Sequence, residues 1–220
     1  MGTITRNAAN NFTTGGVILP AAINDTSVAS ISELENIAAG GAMNLISEQT
    51  ASASASISFT SGIDSTYPVY KFEFISMHPG TNNVMFQFNL STDGGSNYNV
   101  TKTSTYFQAL HYENDGGASL GYYNPNDLAQ STADQIIMIE QGNDADQTGS
   151  GSMFLFNPSS TTFVKHFIAV TNNYQHEDRD YNTFVGGYGN TTSAVNAVRF
   201  KFASGNIDSG IIKMYGIKDS

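Results

Sequence analysis

Cysteine is absent from this chain of 220 residues. The protein therefore has no disulfide, no thiol nucleophile and no thiolate metal site. Its stability has to come from burial of apolar surface, and a domain of this length buries roughly 70 to 75% of the surface that the unfolded chain exposes. A chain without disulfides is compatible with a reducing compartment.

Charged residues are scarce, at 13% of the chain, and the nine Lys and Arg residues give a formal net charge of -10 with the 19 Asp and Glu residues. Such a chain has no basic stripe to neutralise phosphates, which argues against a nucleic-acid reader. An anionic membrane would repel it as well. We therefore expect neither nucleic acid nor membrane among its partners.

Long apolar runs are also missing, since none approaches the ~20 residues that cross a bilayer. The first residues, Met1 to Arg6, contain no hydrophobic signal region. Arg6 occupies the position at which the myristoylation pattern requires Ser or Thr. We expect a chain that is made in the cytoplasm without a secretion signal or a lipid anchor.

The dominant positive signal is alternation of apolar and polar residues from about Tyr67 onward, which is typical of half-buried antiparallel strands. Segment 84–90 is the clearest example. Its apolar side chains share one face, while Gln87 and Asn89 are expected to point to water. Segments 70–74 and 198–202 alternate in the same way.

Further segments predicted as strands are 54–60, 104–112, 135–140, 152–156, 163–171, 182–188 and 210–217. Sequences suited to turns with positive φ separate them, at 93–95, 115–117, 149–151, 186–187 and 204–206. About ten short strands at this spacing predict an all-β fold, an antiparallel β-sandwich or jelly roll. We assign this body to residues 51–220.

Residues 1–50 alternate less and are predicted to form an extended N-terminal arm that serves as an attachment segment. Within the arm, residues 25–27 can cap one short helix that runs to about Ala38, with apolar residues at helical spacing. So short a helix is marginal alone and must dock on the body or on a neighbouring subunit. The Ala/Ser segment 51–56 is interpreted as a connector that merges into the first body strand.

No motif of a catalytic or metal site is evident. The four histidines, His78, His111, His166 and His176, do not fall in a metal-binding spacing. The serines lack the G-x-S-x-G pattern of hydrolases, and the glycine-rich segments lack the lysine of a phosphate loop. We predict that the protein is not an enzyme and has no cofactor, no metal and no catalytic residue.

Acidic residues leave two alternatives open. Glu140 with Asp134, or Glu113 with Asp115, could form the paired carboxylates of a glycosidase, although chance pairs are expected in so acidic a chain. Segments 143–146 and 177–180 could supply oxygen ligands to Ca²⁺, but neither follows an EF-hand loop, and solvated turns are the favoured interpretation.

Tyrosine and histidine are concentrated near predicted strand ends and loops. Such rings can stack on sugars, or they can provide contact area at low entropy cost in a subunit interface. We take nine residues as candidate contacts to a glycan or a partner protein: Tyr106, His111, Tyr112, Tyr122, Tyr123, Tyr174, His176, Tyr181 and Tyr188.

Three segments resemble virion structural proteins of marine tailed bacteriophages: 58–67 (SFTSGIDSTY), 91–98 (STDGGSNY) and 204–217 (SGNIDSGIIKMYGI). The last of them is similar to the closing strand of a β-sandwich module that recurs in phage tail-fibre and particle-surface proteins. The resemblance covers residues 47–217.

The resemblance implies a non-enzymatic structural protein on the exterior of a virus particle, made in the cytoplasm of the host. The leading expectation is a capsid decoration or cement protein that stabilises the shell through contacts between subunits. Its partners would be the major capsid or tail proteins and further copies of itself, in a homotrimer. The alternative is a tail-fibre or receptor-binding module that recognises host surface glycans.

Overall fold

The computed structural model describes residues 42–218, and 59% of these residues lie in β-strands. The all-β prediction is confirmed for this part of the chain, which contains no α-helix and no helix long and apolar enough to cross a membrane. One turn of 3₁₀ helix spans Asn124–Asn126. The strands are β1 Met43–Ser54, β2 Ile57–Phe59, β3 Val69–Pro79, β4 Val84–Ser91, β5 Lys102–Tyr112, β6 Ala118–Tyr122, β7 Gln135–Gln141, β8 Gly149–Phe156, β9 Lys165–Gln175, β10 Arg179–Gly189, β11 Ala197–Phe202 and β12 Ile207–Ile217.

Eight strands pair in a nested order, and every pair is antiparallel. β1 pairs with β12, β2 with β11, β3 with β8 and β4 with β7. Because β12 also pairs with β3 and β11 also pairs with β4, two ladders result, β1-β12-β3-β8 and β2-β11-β4-β7. Strands from the first part of the chain therefore always lie next to strands from the last part.

The other four strands extend the first ladder. β9 follows β8 and is followed by β10, β5 and β6. A single residue pair between Gln141 of β7 and Gln175 of β9 joins the two ladders. The antiparallel sheet is nearly closed by this contact.

Phenylalanines from both ladders form the centre of the core. Phe200 of β11 lies 5.1 Å from Phe74 and 5.2 Å from Phe72 of β3, measured between ring centroids. Phe88 of β4 meets Phe167 of β9 edge to face at 5.0 Å. All five rings are fully buried. The alternating aromatic rows of the sequence thus line the space between the two ladders.

One orientation expected from the alternation is wrong. Gln87 of β4 is half-buried, but Asn89 is only 2% exposed and does not face water. The expectation failed because β4 is covered on both faces near its end, where the side chain of Lys102 lies against Asn89.

Three local predictions also need correction. Residues 51–54 belong to β1, which begins at Met43 within the range assigned to the arm and pairs with β12, so they are not a connector. The predicted turns at 149–151 and 186–187 lie inside β8 and β10. β6 was not predicted. The helix predicted at 25–38 lies outside the described residues, and the boundary between arm and body stays a prediction.

Candidate functional site

Three of the nine candidate contact residues belong to the interior. Tyr106 is fully buried, with its hydroxyl 3.2 Å from Oγ1 of Thr183, and its ring lies 6.2 Å from that of Tyr123. Removal from water raises the pKa of Tyr106 to about 12. Tyr181 is 4% exposed. These rings stabilise the sheet from inside and offer little surface to a partner.

Three further candidates lie apart from one another on the surface. Tyr122 of β6 is exposed, and its hydroxyl donates to Oδ2 of Asp127 at 2.5 Å. Tyr188 lies near the end of β10, beside His166 of β9. His111 is exposed near the end of β5. The structure does not bring these side chains into one site.

The remaining candidates gather where β5 and β9 end and β10 begins. Arg179, the first residue of β10, pairs with Tyr112 of β5 on one side and with Gln175 of β9 on the other. This register places Tyr174 and the turns that follow β5 and β9 side by side. His176 lies in the second turn, with Nδ1 2.6 Å from Nε2 of Gln175.

Tyr174 is surrounded by carboxylates. Its hydroxyl lies 3.1 Å from Oε2 of Glu113 and 3.2 Å from Oδ1 of Asp178, and it can donate its single hydrogen to either of them. Loss of hydration, followed by these hydrogen bonds, raises the pKa of Tyr174 to about 12. The phenol is therefore neutral at physiological pH and acts as a fixed hydrogen-bond donor.

Arg179 covers one face of Tyr112. The guanidinium carbon lies 4.4 Å from the centroid of the Tyr112 ring, within the range of a cation–π contact. Its Nη2 also forms an ion pair with Glu177. A hydrogen bond that the guanidinium donates to Tyr181, reinforced by the negative charge of Glu177, raises the pKa of Arg179. The guanidinium of Arg179 thus covers this face of the Tyr112 ring, which is not open to a ligand.

Beside Tyr174 lies a cleft of about 320 Å³, which we call the strand-end cleft. Glu113, Asp146, Asn172, Tyr174 and Asp180 contribute to its wall. Asn172 donates from Nδ2 to Oδ1 of Asp180 at 2.6 Å, which fixes both side chains. The wall also includes Arg179, so the cleft combines one aromatic ring and one cation with several hydrogen-bond acceptors, a set that can bind the hydroxyl groups of a polyol.

Several of the residues considered for metal binding or hydrolysis have other partners. Within residues 42–218, no three His, Asp or Glu side chains are placed to hold a metal ion. Asp134 pairs with Arg199 at 3.3 Å, whereas Glu140, near the other end of β7, accepts a hydrogen bond from Gln175. Glu113 is engaged with Tyr174. Neither acidic pair stands free across an open cleft.

A second surface was not predicted from the sequence, although one of the candidates, Tyr122, lies opposite Phe107 at its edge. On the outward side of β5, β10, β9 and β8, several apolar side chains form what we call the aromatic face: Phe107, Phe154, Ile168, Val170 and Phe184. Phe107, Ile168 and Val170 are 41%, 50% and 38% exposed. The backbone register places Phe184 between Phe107 and Val170, and Ile168 opposite Phe154.

The aromatic face carries little charge. Among the outward side chains of these four strands, all of which the structure describes, only Asp180 is a carboxylate, although the chain has 19 acidic residues. One signal could have revealed the face from the sequence. In segment 167–170, every residue is apolar, so that both faces of this strand are apolar and not one.

Comparison of the chain with protein-family models, with curated proteins and with solved structures finds no match. The functional inference therefore rests on the two surfaces described above. The strand-end cleft suits a small polar ligand, and the aromatic face suits another protein surface.

Proposed function

We propose that this chain is a non-enzymatic structural protein on the exterior of a bacteriophage particle, of the capsid decoration or cement type. The proposal includes a jelly-roll β-sandwich for the body. The nested pairing of eight antiparallel strands supports it, because jelly rolls pair their strands in this way and are common in viral capsid and lectin domains. β5, β6, β9 and β10 would be an extension of one layer.

The aromatic face is the observation that carries the proposal. A monomeric protein leaves single apolar residues on its surface, but a contiguous apolar patch marks a place of contact with another molecule. Here Phe107, Phe184 and Val170 are consecutive neighbours across three strands, and Ile168 and Phe154 continue the patch. Burial of this patch against another molecule would supply the association energy of an assembly protein.

A second copy of the same chain is the proposed occupant of the aromatic face. With a net charge of -10, two copies repel each other in most orientations. The aromatic face, with its single carboxylate, lets two copies approach without that repulsion. Closed symmetric assemblies are the usual outcome of such contacts, and we propose a trimer in which the aromatic faces of three copies meet around the threefold axis. The part of the predicted arm that precedes β1, residues 1–42, would then attach the oligomer to the major capsid or tail proteins.

Sedimentation equilibrium of the full chain tests this proposal. The double variant Ile168→Ser/Val170→Ser removes apolar surface from the middle of the face, and Phe163→Ser is the matched control because Phe163 is 68% exposed but precedes β9. We expect trimers for the unmodified chain and the control, and folded monomers for the double variant. A monomeric unmodified chain, or a double variant that remains trimeric, contradicts the proposal.

The strand-end cleft favours a second candidate, a tail-fibre or receptor-binding module that recognises host surface glycans. Tyr174 offers a ring edge and a fixed hydroxyl next to several acceptors. If this candidate is right, Tyr174→Ala abolishes binding to purified host polysaccharide, whereas Tyr188→Ala, at the opposite end of the strands, preserves it. Copy number per particle separates the two candidates, because decoration requires hundreds of copies and a fibre requires a small multiple of three or six.

A further inference from the structure

Lys102 and Asn89 form a buried pair of side chains that the proposed function does not use. Lys102 is fully buried at the start of β5, and Asn89 of β4 is 2% exposed. Nζ of Lys102 lies 2.6 Å from Oδ1 of Asn89 and 2.8 Å from the carbonyl oxygen of Val100. A primary amine is thus held directly against a carboxamide in a site without access to water.

The carboxamide of Asn89 is fixed at both ends. Its Oδ1 accepts a hydrogen bond from the backbone N–H of Leu90 at 2.9 Å. Its Nδ2 donates to the carbonyl oxygen of Thr132 at 3.0 Å and to Oδ1 of Asp134 at 2.9 Å. Asp134 is itself held by Nη2 of Arg199 at 3.3 Å. The group therefore cannot rotate away from the amine.

Burial also changes the chemistry of the amine. Removal from water lowers the pKa of Lys102 to about 8, although the negative charge of Asp134 opposes the shift. A deprotonated lysine is a nucleophile, and desolvated lysines serve in this role in enzymes. Fixed contact between two reacting groups replaces a bimolecular step by a unimolecular one and lowers the barrier strongly.

We propose that Lys102 and Asn89 react with each other after folding and form an isopeptide bond between β5 and β4. The lone pair of Nζ attacks Cγ of Asn89, and the carbonyl electrons move to Oδ1, where the N–H of Leu90 stabilises the negative charge. Asp134 takes a proton from Nζ and delivers it to Nδ2. The Cγ–Nδ2 bond then breaks, and ammonia leaves with the bonding electrons.

The reaction is balanced without any further reagent. One amine and one carboxamide become one secondary amide and one ammonia molecule, with no oxidant, reductant or cofactor. The new bond joins residues 13 positions apart and links the second ladder to the start of the strands that extend the first. It would hold the extension in place on a particle that leaves the cell and cannot be repaired.

Lys165 provides an internal comparison. It is also fully buried, but its amine donates to two backbone carbonyls, those of Phe163 at 2.6 Å and Thr191 at 3.2 Å. Neither of these partners is a side-chain carboxamide. Burial alone therefore does not distinguish Lys102, but the contact with Asn89 does.

The intact mass of the purified full chain tests the proposal. We expect a mass lower than that of the sequence by one ammonia, and a branched peptide after proteolysis that joins the segments containing Asn89 and Lys102. The control Lys165→Met should retain the loss of ammonia, and Lys102→Met should have the full mass of its sequence. An unmodified chain that is folded and has its full mass overturns the proposal, as does a loss of ammonia that persists in Lys102→Met.

Asp134→Asn tests the proton transfer separately. Asn at this position can still accept a hydrogen bond from Asn89, but it cannot take up a proton. We expect this variant to accumulate as the unlinked chain, with the full mass of its sequence. Complete cross-linking in Asp134→Asn would overturn the role of the carboxylate.

If Lys102→Met does not fold, the peptide map of the unmodified chain decides by itself whether the bond between Asn89 and Lys102 has formed.

Discussion

Phe107 of β5 and Phe184 of β10 stack face to face on the outside of the sheet, with ring centroids 5.0 Å apart and ring planes inclined by 7°. The two residues are directly opposite in the backbone register. Because Phe107 remains 41% exposed, the pair stabilises the sheet while leaving apolar surface for another molecule. The same two rings thus contribute to the fold and to the proposed oligomer interface.

The contribution of this pair to the fold can be measured with a double-mutant cycle. We expect Phe107→Ala, Phe184→Ala and the double variant to reveal a coupling of about 0.5–1 kcal/mol, the value typical of aromatic pairs across strands. Urea unfolding at a concentration at which all four proteins are monomeric gives the free energies. Strictly additive effects would show that the rings lie side by side without stabilising each other.

The stability of the core depends on the ring of Phe200 more strongly than on the surface pair of Phe107 and Phe184. Phe200 contacts aromatic rings of β2, β3 and β4, with centroids between 5.1 and 6.4 Å away. Phe200→Ala would leave a cavity between the two ladders and should reduce the free energy of unfolding by about 3–5 kcal/mol. Phe163→Ala, at a site that is 68% exposed, should change it by less than about 0.5 kcal/mol. Urea denaturation compares the two.

Most strands were predictable because large apolar residues alternate along them. β1 escaped prediction in part because its register shifts between Leu45 and Ser47, which interrupts the alternation. β6 has five exposed residues, so no burial pattern distinguishes it. Local sequence cannot reveal such strands, because their partners, β12 and β5, define them.

The two surfaces and the buried contacts were harder to predict from the sequence than the strands were. Tyr106 and Phe107 are adjacent on β5, and alternation places them on opposite faces, but both faces of this strand carry aromatic and polar residues. Only the pairing with β10 shows that Tyr106 points inward. Likewise, the contact between Asn89 and Lys102 depends on the path of the loop between β4 and β5, which no periodicity describes.

Asp93 should make the stability of the loop after β4 depend on pH. Hydrogen bonds to Asn97, through its side chain and its backbone N–H, and to Ser91 lower the pKa of Asp93 from 3.8 to about 2. Since the pKa is lower in the folded state, the stabilisation is present above about pH 4 and is lost as the pH falls towards 2.

The change that tests this is Asp93→Asn, which cannot ionise. We expect the unfolding free energy of the variant to fall less steeply between pH 4 and pH 2 than that of the unmodified chain. Asp115→Asn, at an exposed turn position, should retain the steeper fall. Chemical denaturation at several pH values gives the slopes, and equal slopes for Asp93→Asn and the unmodified chain would contradict the assignment.

Two neighbouring glycines of β10 should respond oppositely to substitution by alanine. A Cβ at Gly187 would lie 2.5 Å from the carbonyl oxygen of Thr103 and 2.7 Å from Cζ of Phe167, so that backbone and core would have to move. A Cβ at Gly186 would meet nothing closer than Oγ1 of Thr105 at 3.9 Å. Gly186 and Gly187 therefore lie within a strand and do not form a turn. At position 187 the strand packs closely against Thr103 and Phe167.

We expect Gly187→Ala to destabilise the protein by about 1–3 kcal/mol, the usual cost of forcing extra atoms into a filled site. Gly186→Ala should be neutral or stabilising by up to about 1 kcal/mol, because glycine inside a strand loses more conformational freedom on folding than alanine does. Urea midpoints of the two variants decide the matter. Equal destabilisation would mean that both positions are limited by backbone conformation and that the approach of Phe167 does not select glycine at position 187.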